Sequence, residues 1–334
     1  MRPMNIFYYL TIVQFFLMQL AFAQDFHLAQ YESNPLNLNP ALNGERLSEY
    51  KGVNYNFNYR DQIANYSNAP GSFKSFAAGI DIPVNSKFSI GQYYGNNKSV
   101  DGVFNSNNFM FSTAYRINNA DARDRENFSV GLQLGVLNTA FNPQNFTYGA
   151  QYSASAADGF DRNISSGENL TILSIYKFNV NFGVYYRRKL LNDNLTIYGG
   201  ASVYNVSNPS KEINGVQLPM PLKYNVHIGA LYKVDEKLTV KPHVLIMAQN
   251  MANELNVGVL FYYKLTNDYE TIFGLGVRNK NAIIYNFGLR VKENTFRASY
   301  CAVNSYLYEY KNKGLEFSVI HTSKKKIKKS IGVL

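Results

Sequence analysis

The chain has 334 residues, of which 17% are charged and 15% aromatic, and its formal net charge is +10. Five lysines between Lys324 and Lys329 supply half of that positive charge. The rest of the sequence has no cluster of basic residues of the kind that nucleic-acid binders need, so a nucleic-acid partner is not expected. A single cysteine, Cys301, excludes an internal disulfide, and the four histidines lack metal-ligand spacing, so no metal or other cofactor is expected.

The first 23 residues have the organisation of a secretory signal peptide. Arg2 supplies the positive charge, residues 6–20 are mainly apolar, and Ala21-Phe22-Ala23 offers small residues to a signal peptidase. A single membrane anchor is the alternative, but the apolar run is shorter than the roughly 20 residues that a spanning helix needs. We therefore predict export, with residues 1–23 removed and a mature chain that starts near Gln24.

Residues 24–49 lack a strand pattern and contain the pairs Asn34-Pro35 and Asn39-Pro40. Each proline keeps its preceding asparagine extended and removes one backbone donor. We expect an irregular N-terminal segment here.

From residue 50 to residue 322, apolar and polar residues alternate with period 2. Tyr224, Val226 and Ile228, for example, share one face of a strand, whereas Asn225 and His227 share the other. The composition, rich in Tyr and Phe, also suits strands rather than helices. Fourteen strands are predicted, with the approximate spans 50–60, 73–82, 87–94, 107–117, 126–138, 176–188, 194–205, 222–233, 237–248, 254–265, 270–279, 281–292, 294–303 and 314–322.

The length and the number of these strands predict an all-β fold, a transmembrane antiparallel β-barrel. Strands of about 9 to 11 residues cross a bilayer when tilted, and bacterial outer-membrane barrels have an even number of strands. If the first strand runs outward, the even-numbered connections are mostly short turns, although 118–125 is longer. The odd-numbered ones include the long connections 61–72, 95–106, 139–175, 206–221 and 304–312. This difference in connection length predicts that both termini lie in the periplasm. A soluble exported sandwich is the alternative fold, but it would explain only the alternation and not the strand length, the strand number or the unequal connections.

Charged residues within the strands alternate with apolar ones and are therefore predicted to face the lumen. A charge on the lipid face at mid-membrane costs roughly 2–4 kcal/mol. These inward-facing charges indicate either an anion-selective or partner-binding lumen, or simply the ordinary polar interior of a barrel. The candidate lumen charges are Arg187, Lys264, Arg290, Arg297 and Glu316.

Motifs of hydrolases are missing from the sequence. Neither Gly-x-Ser-x-Gly nor His-Glu-x-x-His occurs, and no Ser/His/Asp grouping stands out. We expect a protein that is not an enzyme and has no catalytic residues.

The mature start and several strands resemble the PorP/SprF family, membrane proteins of the Bacteroidetes type IX secretion system and gliding motility. The resemblance is carried by residues 24–31, by the block 34–44 with its pairs Asn34-Pro35 and Asn39-Pro40, and by residues 58–62 in the first strand. Weaker similarity follows at residues 198–203, 223–229, 241–246 and 314–318, so that it covers essentially the whole mature chain.

The resemblance implies an outer-membrane barrel of a Gram-negative, Bacteroidetes-type bacterium that supports secretion or surface anchoring of an adhesin-like partner. Its expected partners are outer-membrane lipid, the secreted adhesin at the outer loops, and other secretion-system subunits or a periplasmic lipoprotein. The N-terminal block, together with Asn58, Tyr59 and Arg60, is a candidate plug or partner-binding site, or else a plain turn segment. A general diffusion or uptake porin remains the alternative function, and residues 323–334 are expected to form a solvated basic tail.

Overall fold

The computed structural model describes residues 28–45, 52–64, 73–99, 102–118, 125–157, 159–168, 173–191, 193–208, 210–213, 216–250, 252–279, 282–303 and 312–323. The predicted signal peptide and the lysine-rich stretch lie outside these residues. None of the described helices is long and apolar enough to span a membrane. The strands are β1 (Asn54–Ala64), β2 (Phe73–Pro83), β3 (Phe88–Ser99), β4 (Phe104–Arg116), β5 (Glu126–Phe141), β6 (Leu173–Leu190), β7 (Leu195–Tyr204), β8 (Ser210–Ile213), β9 (Val216–Pro219), β10 (Lys223–Lys233), β11 (Leu238–Gln249), β12 (Ala252–Lys264), β13 (Tyr269–Arg278), β14 (Ala282–Val291), β15 (Asn294–Val303) and β16 (Asn312–Thr322).

Fourteen of these strands form one closed antiparallel barrel, as the sequence predicts. Neighbours along the chain are neighbours in the barrel, with β7 paired to β10, and β1 closes the cylinder against β16. Closure leaves no strand edge without a hydrogen-bonded neighbour, which a sheet in hydrocarbon requires because lipid offers no hydrogen bonds.

The barrel wall is apolar outside and polar inside, in the register that the alternation predicts. On β10, Tyr224, Val226 and Ile228 are 50%, 40% and 61% exposed, whereas Asn225 and His227 are buried at 2% and 3%. This arrangement is the reverse of that in a soluble protein, whose apolar residues lie inside. It recurs on β1, where Tyr59 is exposed and Asn58 is buried. An exterior of this kind suits acyl chains, since charges and amides are kept in the interior.

The connection predicted at 95–106 is wrong, because β3 and β4 extend through most of it. Asparagines are frequent in this stretch of the sequence. They form an amide ladder across the two strands: the Asn96 amide donates to Asn105 Oδ1 at 2.7 Å and to Asn107 Oδ1 at 2.8 Å. Cross-strand hydrogen bonds of this kind stabilise a sheet without an apolar face.

Two long connections also contain structure of their own. The one predicted at 206–221 carries the hairpin β8–β9. The one between β5 and β6 has 3-10 turns at Pro143–Asn145 and Gly149–Gln151. These connections lie at one end of the barrel, here the loop end; the short connections 84–87, 191–194 and 234–237 lie at the other, here the turn end.

Candidate functional site

Residues 28–45, here the N-terminal segment, lie inside the barrel. The segment is a series of tight turns: a 3-10 turn at Tyr31–Ser33, one helical turn at Pro35–Leu38 and a 3-10 turn at Pro40–Leu42. Pro35 and Pro40 begin the last two turns, where the missing N–H has no partner to lose. The sequence therefore forms a compact chain, and Leu36 within it is fully buried.

The N-terminal segment runs along the lumen from one end towards the other. Ala29 belongs to one buried apolar cluster with Ala282, Ile284 and Cys301, which lie in the part of the wall nearest the loop end. Glu45 meets Arg187, near the turn-end terminus of β6. The segment thus extends over most of the length of the lumen.

At the seam where β1 meets β16, Glu316 binds the start of the segment. Its carboxylate accepts hydrogen bonds from the backbone N–H of Ala29 at 2.6 Å and of Gln30 at 3.1 Å. It also accepts one from Asn58 Nδ2 of β1 at 3.2 Å, and that amide contacts Ser33 Oγ as well. One buried carboxylate therefore joins the segment to both strands of the seam.

Gln30 extends this network to β15. Its amide donates to Ser299 Oγ and to the Glu316 carbonyl oxygen, both at 3.1 Å, and its side-chain oxygen accepts from Ser318 Oγ at 2.6 Å. Gln30 is completely buried, and these bonds compensate for the loss of hydration of its amide.

An ion pair fixes the next turn of the segment. Arg297 Nη1 lies 2.6 Å from Glu32 Oε1, and the Arg297 side chain is only 3% exposed. Burial alone would raise the pKa of Glu32, but the neighbouring positive charges, Arg297 foremost, together with the hydrogen bond from Arg297, outweigh burial and hold that pKa well below its usual range. Beside it, the Tyr31 hydroxyl is hydrogen-bonded to Nδ1 of His243, and burial raises the pKa of Tyr31. Glu32 is therefore ionised in the folded protein.

In the middle of the segment, the wall binds the main chain. Side chains from three strands, β5, β7 and β10, donate hydrogen bonds to its carbonyl oxygens. The pairs are Gln133 with Leu36 at 2.8 Å, Tyr204 with Asn37 at 3.0 Å, Ser202 with Leu38 at 2.8 Å, Asn225 with Leu38 at 3.1 Å, and Ser129 with Ala41 at 2.8 Å.

The Asn39 side chain is hydrogen-bonded to the wall at β6 and β7. Its amide donates to the carbonyl oxygens of Val184 at 2.9 Å and Ala201 at 3.3 Å. A Cβ at Gly183 would collide with Asn39, and one at Gly131 would collide with the backbone at Ala41. These two wall glycines therefore make room for the segment.

A second charged contact holds the segment at the turn end. Glu45 Oε1 lies 3.0 Å from Arg187 Nε, and its other oxygen lies 4.0 Å from Arg116. The neighbouring Gly44 N–H donates to Asp81 at 2.9 Å. Carboxylates near both ends of the segment thus meet arginines of the wall.

The structure brings most of the residues singled out in the sequence to this site. Four of them are buried within the segment itself: Asn34, Pro35, Asn39 and Pro40. Two are buried in the wall, Asn58 and Arg60. Three charged wall residues contact the segment: Arg187, Arg297 and Glu316.

Three predicted residues do not join it. Tyr59 faces outward, as alternation demands of a neighbour of Asn58, and is 41% exposed. Lys264 and Arg290 lie at the turn-end rim, where Arg290 pairs with Glu270 at 2.8 Å instead.

The sequence interpretation did not identify Gln30, Glu32, Glu45, Gln133 or Tyr204 as site residues. Gln133 and Tyr204 belong to the polar or lumen-facing positions of strands, but their contacts depend on the turns of the segment. Among the described residues, no group of His, Cys, Asp and Glu is arranged to hold a metal ion.

Comparison with known proteins gives one family match and a set of similar folds. The family model described as type IX secretion system membrane protein PorP/SprF matches residues 20–319. No curated protein matches the chain.

Among solved structures, the toluene transporter TbuX of Ralstonia pickettii is 10% identical, with a TM-score of 0.51 over 85% of this chain and 92% of that one. The Pseudomonas putida toluene transporter TodX is also 10% identical, with a TM-score of 0.50 over 85% of this chain and 91% of that one. At such identity, the likeness concerns the barrel fold alone.

Proposed function

The chain belongs to the PorP/SprF family of type IX secretion system membrane proteins, and from that premise we propose that it anchors a secreted, adhesin-like partner at the cell surface. It is an outer-membrane barrel of the type IX secretion system. In the proposal it acts by binding, without turnover, and the N-terminal segment plugs its lumen. Other subunits of the secretion system, or a periplasmic lipoprotein, would meet the turn end in a gliding, Bacteroidetes-type cell.

The observation that carries this proposal is the filled lumen. The N-terminal segment follows the lumen for most of its length and is hydrogen-bonded to the wall from its first residues to Gly44. A general diffusion porin, the alternative function, needs a continuous aqueous path through its lumen. The filling therefore favours a binding barrel over a pore.

The connection between β5 and β6 is the candidate surface for the secreted partner. Phe146, Tyr152 and Ile164 are 42%, 66% and 41% exposed there. Gln151 holds the connection in shape, because its side chain accepts from Tyr148 N and donates to the Ile164 carbonyl oxygen. Exposed aromatic side chains on a defined framework are frequent anchors of protein interfaces.

The test of the anchoring role replaces residues 143–168 by a short Gly/Ser linker and measures the surface display of the secreted partner in cells. We expect display to be lost while the barrel remains folded and in the outer membrane. A chain in which residues 207–219 are shortened instead is the matched control. Unchanged display without residues 143–168 would contradict this use of the connection.

The test against the porin alternative is conductance in a planar bilayer. The purified full-length barrel is expected to stay electrically silent, because the segment occupies the lumen. Steady conductance at low voltage would support the porin and contradict the plug.

A further inference from the structure

The contacts within the lumen are those of a peptide-binding site. Five wall side chains donate to carbonyl oxygens of the segment between Leu36 and Ala41. Two wall carboxylates, Glu316 and Asp81, accept from its backbone N–H groups. Main-chain hydrogen bonds of this kind supply affinity for a peptide, while pockets for a few side chains supply specificity.

Specificity in this lumen comes from three positions along the segment. Glu32 pairs with Arg297 near one end and Glu45 pairs with Arg187 at the other. Between them, Asn39 fits against Gly183, where a Cβ would leave it no room. Together these contacts fix the register of a bound chain, because shifting it would separate both carboxylates from their arginines.

We propose that the lumen is an exchangeable peptide-binding site, whose resident ligand is the chain's own N-terminal segment. The ligand class is a short peptide rich in Asn and Pro, with one carboxylate near each end, spaced as Glu32 and Glu45 are. This inference rests on the plugged lumen of the proposed function. It adds that the non-covalent contacts with the wall are sufficient to keep the segment in the lumen, without its covalent link to β1.

The covalent attachment can be tested separately, because the segment is joined to the barrel through the residues between Glu45 and Asn54. A protease site inserted between Leu47 and Ser48 lets the full chain fold before it is cut. After cutting, a fluorescent synthetic peptide of residues 28–45 is added in excess, and the label that co-elutes with the barrel is measured.

We expect saturable uptake of the labelled peptide, in competition with the unlabelled one. A peptide with Glu32→Gln and Glu45→Gln should bind at least about tenfold more weakly, because it loses two charge-assisted contacts. A scrambled peptide of the same composition should not bind. Absence of uptake, or equal uptake of the scrambled peptide, would overturn the peptide site.

Conductance separates this inference from the one on which it rests. A barrel that is silent before cutting and takes up no peptide afterwards overturns the peptide site and leaves the plug intact. A barrel that conducts steadily before it is cut overturns the plug itself.

Discussion

The buried pair of Glu32 and Arg297 shows how a single residue holds the segment. Breaking a buried ion pair by removing one partner typically costs about 3–5 kcal/mol, since the remaining charge is left without its counterion. Glu32→Gln should therefore loosen the segment and raise its rate of proteolysis in the folded barrel. The double variant with Arg297→Met should recover part of the protection; if both variants are as resistant as the native chain, the pair does not hold the segment.

The pH dependence of this contact follows from the lowered pKa of Glu32. A carboxyl whose folded pKa is depressed contributes stability above its unfolded pKa and loses it as the pH falls through the folded value. The contribution of Glu32 should therefore be constant from pH 8 to pH 5 and decline only below its ordinary pKa of about 4.3. The resistance of the segment to proteolysis can be measured as a function of pH in the native chain and in Glu32→Gln. The two should differ by a constant amount between pH 8 and pH 5.

Two inward-facing glycines give a steric test at the residue scale. Gly131→Val places a side chain where the backbone at Ala41 lies, so the segment should be displaced and the silent barrel should begin to conduct. Gly276→Ala is the control, because its added Cβ would meet ordinary contacts at 3.4 Å or more. Equal silence of both variants would show that the segment does not pass Gly131.

Alternation alone predicts which side chains face the lumen, as Asn58, Arg187, Arg297 and Glu316 show. It cannot predict what they contact there. Those partners belong to a segment of short turns with no periodic pattern, and its path depends on the shape of the closed barrel. Lumen residues could therefore be identified by sequence, but the network could not.

At the scale of elements, the fourteen barrel strands follow from period-2 alternation because a one-residue slip would move every apolar side chain to the wrong face. The errors fall beyond the lipid-facing part of the strands. There the outward face no longer needs apolar residues, so the asparagines of β3 and β4 resemble a loop. The hairpin β8–β9 lies within a predicted connection and has strands of only four residues each, too short for alternation to reveal them.

The seam between β1 and β16 gives the prediction at this scale. Glu316→Gln replaces an acceptor of three hydrogen bonds by an amide that carries donors of its own, so the barrel should unfold at a lower temperature. The shift is measured as the heat-dependent change in electrophoretic mobility. Glu270→Gln is the matched control, because its pair with the 45% exposed side chain of Arg290 lies at the rim and such pairs contribute about 0–1 kcal/mol. Equal shifts in the two variants would contradict a special role of Glu316 in closure.

At the scale of the whole molecule, the fold places hydrocarbon-compatible residues outside and the ionic network inside. The interior is occupied by the segment that precedes the first strand, so the chain supplies its own filling. The polar wall of the barrel is thus hydrogen-bonded to a segment of the same chain.

The location of the N-terminal segment is the claim on which the rest depends, and Cys301 allows a direct measurement. Ala29 belongs to the same buried apolar cluster as that cysteine, the single one in the chain. Ala29→Cys in the folded barrel should therefore be joined to Cys301 by mild oxidation, with loss of both thiols and a mobility change that reductant reverses. Leu38→Cys, which packs on Leu245 instead, should keep its thiol. If Ala29→Cys stays unlinked and reacts with soluble thiol reagents as freely as in the unfolded chain, the segment does not lie in the lumen.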